Sequence, residues 1–229
     1  MKKTDLLVIL VVILVLTPFF IFSKVYDDYK SINIAHPFIM AFIKFALLAT
    51  FGEMLGLRIK TGKYNAPGFG LLPRAVVWGL FGMWIVLAMG VFKSGIPAFL
   101  NQYPMFEGIK EAMYSDFSCL KLCGAFLISV MMNTSFAPVF MTLHKITDTH
   151  ILQNGGKLSA LVKSIQVEKI ISELNWKVQW GFVFKKTIPL FWIPAHTLTF
   201  ILPGDFQVLF AAFCSIILGL ILSIASLKK

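Results

Sequence analysis

Acidic side chains are in short supply. Aspartate and glutamate number 11 against 21 lysines and arginines, and charged residues make up only 14% of the 229-residue chain. A soluble domain carries about 25% charged residues, so this scarcity excludes an ordinary water-soluble fold. Cysteine is rarer still. Cys119, Cys123 and Cys214 all fall in apolar segments, where a thiol behaves as a small hydrophobe. Three cysteines do not make a disulfide framework, and no histidine or carboxylate near the Cys119/Cys123 pair completes a tetrahedral metal set. No metal or cofactor is therefore expected. HExxH, GxSxG, P-loop and His–carboxylate metal spacings are also missing, so an enzyme is not expected. Internal repeats and low-complexity tracts are absent too.

What is present is apolar length. Hydrophobic residues make up 58% of the chain and its mean hydropathy is +0.81. Runs of about 18 or more apolar residues read as membrane spans. Six are expected, giving an all-α polytopic bundle treated as one transmembrane domain over 1–229. The first runs from Leu6 to Lys24 after Met-Lys-Lys, an uncleaved anchor because no small-x-small cleavage site follows. The others run from His36 to Leu57, Leu72 to Phe92, Phe117 to Leu143, Lys186 to Pro203 and Phe206 to Leu227. The fifth is short, and either crosses or re-enters. Residues 1–34 are read as anchor and outer loop, and 144–186 as an inner loop. Within that loop, Val167, Ile170, Ile171, Leu174 and Val178 recur at helical spacing beside Trp176 and Trp180. This predicts an amphipathic helix in the bilayer interface.

The net charge of +10 follows from topology. With the N-terminus inside, the inner segments hold fifteen lysines and arginines, among them Arg58, Lys60, Lys63, Arg74, Lys145 and Lys157, and the outer loops hold four. That is the positive-inside bias. It places both termini in the cytoplasm and requires no polyanion, and no groove-reading motif points to nucleic acid.

Helices in lipid associate through small residues and polar contacts. Gly52 and Gly56 form a GxxxG, Gly79 and Gly82 mark the third span, and Ala211, Ser215, Gly219 and Ser223 recur every four residues in the last. These are read as packing faces. Ionisable groups at membrane depth are the sharper clue, since a buried carboxylate must be paired, hydrated or protonated. Glu53 requires either another helix's polar group or water. Lys121, Ala125, Ser129, Asn133 and Ala137 form a small, polar stripe in the fourth span. In the fifth, Trp192, His196, Thr199 and Pro203 fall at i, i+4, i+7 and i+11, on one face. Glu53, Asn133, Ser129, His196, Thr199, Trp192 and Lys121 are the candidate pore-lining or polar-core residues.

The stretch Trp192-Ile193-Pro194-Ala195-His196-Thr197-Leu198-Thr199-Phe200 resembles the W-x-P-x-Q-x-x-N-F motif of the Mpv-seventeen/peroxisomal membrane protein (PMP-twenty-two) family. Pro203, Phe206-Gln207-Val208-Leu209-Phe210 and Leu222-Ser223 resemble its continuation. His36-Pro37, Gly52-Glu53, Arg74 and Phe136-Ala137-Pro138, with Asn133 before it, match upstream motifs in order. The resemblance covers about residues 35–224. Departures are His196 for Gln, Thr199 for Asn, Gln207 for Arg, Leu218 for Trp and Glu53 for Asp, which separates any shared fold from shared solute specificity.

The family resemblance implies a small integral membrane protein with a pore-like role. A start at Met-Lys-Lys without an Arg/Ser-rich transit segment points to a bacterial cytoplasmic membrane. The expected function is a low-selectivity pore for small solutes or ions, made pH-sensitive by His196. Its expected partners are the lipid bilayer, its solutes and further copies of itself. The alternative is a non-transporting adaptor whose polar residues only hold helices together.

Overall fold

The computed structural model describes residues 2–226, all of whose regular structure is helical. Four helices are long and apolar enough to cross a membrane: α1 (Lys3–Ile21), α3 (Pro37–Thr61), α4 (Leu71–Leu100) and α6 (Cys119–Gln153). Between them lie α2 (Ser23–Ala35) and the single-turn α5 (Ile109–Ala112). After α6 come α7 (Val167–Glu173) and α8 (Trp176–Val178). A π-wound segment, Gln179–Trp192, then leads into α9 (Ile193–Ile201), and α10 (Gly204–Ser226) closes the described chain. Composition and helix length are those of a multi-pass membrane protein.

The chain divides into two units, Met1–Met40 and Ala41–Lys229. In the first, Phe22 adopts an extended conformation (φ −110°, ψ 103°) and ends α1. The outer loop expected after the anchor is instead the helix α2. No residue of α1 is buried within its unit.

In the second unit, α6 and α9 form the most intimate pair, with α4 against α6 and α10 against α9. Met89, Ile128, Met132, Phe200 and Ala211 fill one core cluster, and Phe45, Ala49, Trp78 and Ala212 another. Small residues bring the backbones together. A Cβ on Gly82 would meet the Ala41 carbonyl oxygen at 2.6 Å, and one on Gly52 the Ile216 Cα at 3.2 Å. Gly79 lies beneath the Phe42 ring, and Gly56 beneath the Ser223 hydroxyl. Gly219 faces the Gly52 carbonyl, while Ser215 Oγ donates to the Ala211 carbonyl within its own helix at 3.2 Å.

Further segments differ from the sequence reading, among them α4, which runs on to Leu100. Helix α6 continues ten residues past Leu143, into the expected inner loop, and ends only where Gly155 and Gly156 take positive φ (65° and 67°). The interfacial amphipathic helix is not one helix. Leu158–Val162 is a 3-10 turn, and α7 stops at Leu174, whose ψ of 137° is extended. Asn175 then restarts the helix by accepting the Val178 N–H, and Trp176 Nε1 donates back to the Ile171 carbonyl at 3.0 Å. Local capping outweighs the apolar periodicity there, and of the expected stripe Ile170 is buried while Val167 and Val178 are exposed. The fifth segment is longer than expected, with helical backbone running without a break from Trp176 to Ile201.

Candidate functional site

The loop before α4 sets the first half of the site. Gly70, at φ +74°, caps α4 and accepts the Arg74 N–H through its carbonyl. A Cβ on Gly156 would lie 2.6 Å from the Gly70 nitrogen, so two glycines let this loop and the end of α6 touch backbone to backbone. Arg74 is thereby fixed in the interior at 8% side-chain exposure. Its Nη1 pairs with Glu53 Oε2 from α3, its Nη2 with Asp148 Oδ1 from α6, and its Nε donates to the Phe69 carbonyl at 2.6 Å. The Phe69 ring lies 4.7 Å from the guanidinium carbon, within cation–π range.

Glu53 is held by three side chains from two helices, α4 and α6. Besides Arg74, its Oε1 accepts from Trp78 Nε1 at 2.9 Å and from His144 Nε2 at 3.1 Å. The Trp78 and His144 rings are 4.5 Å apart. Lys145 Nζ approaches Asp148 Oδ2 at 3.8 Å. A buried carboxylate is tolerated when its charge is paired and its lone pairs are bonded, and Glu53 meets both conditions.

The second half lies where α6 crosses α9. Asn133 and His196 meet through the imidazole Nδ1, which accepts from the amide nitrogen (3.0 Å) or donates to the amide oxygen (3.1 Å), according to tautomer. Asn133 also donates to the Ser129 carbonyl at 2.8 Å, and Ser129 Oγ donates to the Ile193 carbonyl at 2.7 Å. Pro194 follows Ile193, and Thr197 Oγ1 donates to that same Ile193 carbonyl at 2.7 Å. Trp192 stacks on His196 with ring centroids 5.0 Å apart.

Both halves line one cavity of about 570 Å³, within the range of small-molecule sites. Between the charged cluster and the Asn133–His196 pair, its wall is apolar and aromatic, with Phe45, Ile85, Met132, Phe136, Phe140 and Leu218. Rings continue from Trp84 through Phe136 and Phe140 to Phe81 and Trp78.

The sequence candidates divide in three. Glu53, Asn133, Trp192 and His196 line the cavity, as do Gly52, Gly56, Ala211, Ser215, Gly219 and Ser223. Ser129 and Thr199 are wholly buried and do not line it. Thr199 Oγ1 donates to the Ala195 carbonyl of its own helix, and Ser129 bonds across from α6 to α9. Lys121 is not on the cavity either. It sits in the first turn of α6 and donates from Nζ to the Ser115 carbonyl at 2.7 Å. Glu53 and His196 engage separate partners.

Sequence reasoning missed His144 and Asp148 by ending the fourth span at Leu143. Continued along α6, the stripe Asn133–Ala137 reaches Met141, His144 and Asp148 at helical steps, and all of them line the cavity. Among the described residues no group of three or more metal-ligating side chains converges. No protein-family model, curated protein or solved structure matches the chain.

Proposed function

We propose that this chain is a pore-like protein of the cytoplasmic membrane that passes small solutes through the cavity between α3, α4, α6, the π-wound segment, α9 and α10. The observation that carries this reading is one interior space lined both by the Glu53–Arg74–Asp148 cluster and by the Asn133–His196 pair. A solute path needs polar groups along a space that lipid does not fill. In this reading there are six crossings with both termini cytoplasmic, the fifth being the continuous stretch from Trp176 to Ile201; a re-entrant fifth segment would instead give five crossings and termini on opposite sides. The Mpv-seventeen/peroxisomal membrane protein family is proposed as the structural type, on the motif order from His36 to Ser223.

The test is solute and ion flux in proteoliposomes, wild type beside Glu53→Gln. Removing the carboxylate leaves the Arg74 charge half answered, so the cation-to-anion permeability ratio should fall several-fold. A folded protein that conducts nothing, in either form, overturns the proposal. One observation favours the alternative of a non-transporting adaptor: three side chains from two neighbouring helices already satisfy Glu53, the arrangement expected of helix glue. Under that reading Glu53→Gln lowers stability and alters no flux, and one partner protein co-purifies consistently.

A further inference from the structure

The π-wound segment accounts for which residues reach the cavity. Its i→i+5 hydrogen bonding widens each turn, so residues four or five apart share a face. Gln179, Val183, Thr187 and Trp192, at steps of four, four and five, all line the cavity. Under α-winding, at about 3.6 residues per turn, Trp192 would point to the far side of the helix from Gln179.

Two of these four carry N–H groups that find no acceptor among the described residues. Gln179 is only 7% exposed and its Nε2 has no partner, and Trp192 Nε1 is equally sealed and unpaired. Buried donors are nearly always bonded, because one left unmade bears its whole desolvation cost. The two stand at opposite ends of the space. Along α6 the cavity runs from Met132 to Asp148. Trp192 stacks on His196 beside Asn133, so Gln179, thirteen residues back along the same helical stretch, lies towards the charged end.

Charge and wall chemistry narrow the occupant. The lining holds three cationic side chains, Lys60, Arg74 and Lys145, against two carboxylates, Glu53 and Asp148. One positive charge is in excess, at the end where Gln179 offers its N–H. The wall between the two donors is aromatic and aliphatic. We infer that the cavity binds an elongated amphiphilic monoanion, its anionic head at Gln179 and Lys60, its apolar body along Phe136 and Phe140, and an uncharged acceptor at the far end for Trp192 Nε1. This rests on reading the cavity as solute space, and it names the class of molecule that space accepts.

The experiment is equilibrium binding of labelled 10-hydroxydecanoate to the full chain in phosphatidylcholine nanodiscs, with empty nanodiscs as blank. Saturable binding near one molecule per chain is expected, competed by decanoate more strongly than by decanol and not by decylamine. Gln179→Leu should weaken binding of both acids about tenfold. Trp192→Phe, which keeps the ring and removes only the N–H, should weaken 10-hydroxydecanoate several-fold and leave decanoate unchanged. That second variant carries the test if Gln179→Leu does not fold. Adding phosphatidylglycerol to the nanodiscs separates the sources: displacement identifies a membrane lipid as the amphiphile, and undisturbed binding a free acid.

No saturable binding by folded wild type overturns the inference, and so does preference for decylamine or indifference to both variants. Flux with no binding would sink this inference alone. Binding with no flux would sink only the proposed function.

Discussion

Arg74 is the residue on which the charged cluster depends. It answers Glu53 and Asp148 together while its Nε holds the Phe69 carbonyl, a task that suits a planar fork and not a single ammonium. Removing one partner of a buried pair leaves the other charge uncompensated, at about 3–5 kcal/mol. Arg74→Met should therefore destabilise by about that amount in denaturant unfolding in detergent, and Arg74→Lys should recover only part. Because the residues act as a unit, Arg74→Met combined with Glu53→Gln should cost less than the sum of the two. An Arg74→Met protein as stable as wild type would show that the cluster holds nothing together. The need for a partner was legible in the sequence, since a glutamate at membrane depth demands one. The identity of the partner was not, because Arg74 lies in a different helix and reads as one more inner-side cation. Asp148 was hidden by the boundary drawn at Leu143.

Helix packing decides the next scale. Gly82 and Gly90 both lie within α4 and are indistinguishable by propensity. Yet a Cβ on Gly82 would strike the Ala41 carbonyl at 2.6 Å, whereas one on Gly90 meets nothing within 4 Å. Gly82→Ala should then cost about 1–3 kcal/mol through overpacking. Gly90→Ala should be neutral or stabilise by up to about 1 kcal/mol through the unfolded chain. Thermal unfolding of the two single variants separates them, and equal shifts would contradict the packing. The long apolar helices were readable because a run of apolar residues needs no tertiary information. Three features were not. The break at Phe22, the break at Leu174–Asn175 and the π winding from Gln179 each depend on a backbone choice that hydrophobic periodicity does not encode. The winding matters most, since it determines which side of the fifth segment meets the cavity.

At the scale of the molecule, the proposed function makes the interior of the Ala41–Lys229 unit a path. The apolar wall, the paired charges at one end and the Asn133–His196 contact at the other belong to one space. Of the candidates read from the sequence, Glu53, Asn133, Trp192 and His196 line that space, whereas Ser129 bonds across to Ile193, Thr199 bonds within its own helix and Lys121 bonds the Ser115 carbonyl. Ser215 allows the path to be tested with little disturbance, because it lines the cavity and a thiol nearly matches its hydroxyl in size. The decisive measurement is solute flux through proteoliposomes containing Ser215→Cys, in a background with Cys119, Cys123 and Cys214 replaced by serine, before and after a methanethiosulfonate reagent. A solute path gives flux before treatment and flux no greater than that of protein-free vesicles afterwards, with the serine background unaffected. Undiminished flux after complete modification of the new thiol would contradict it.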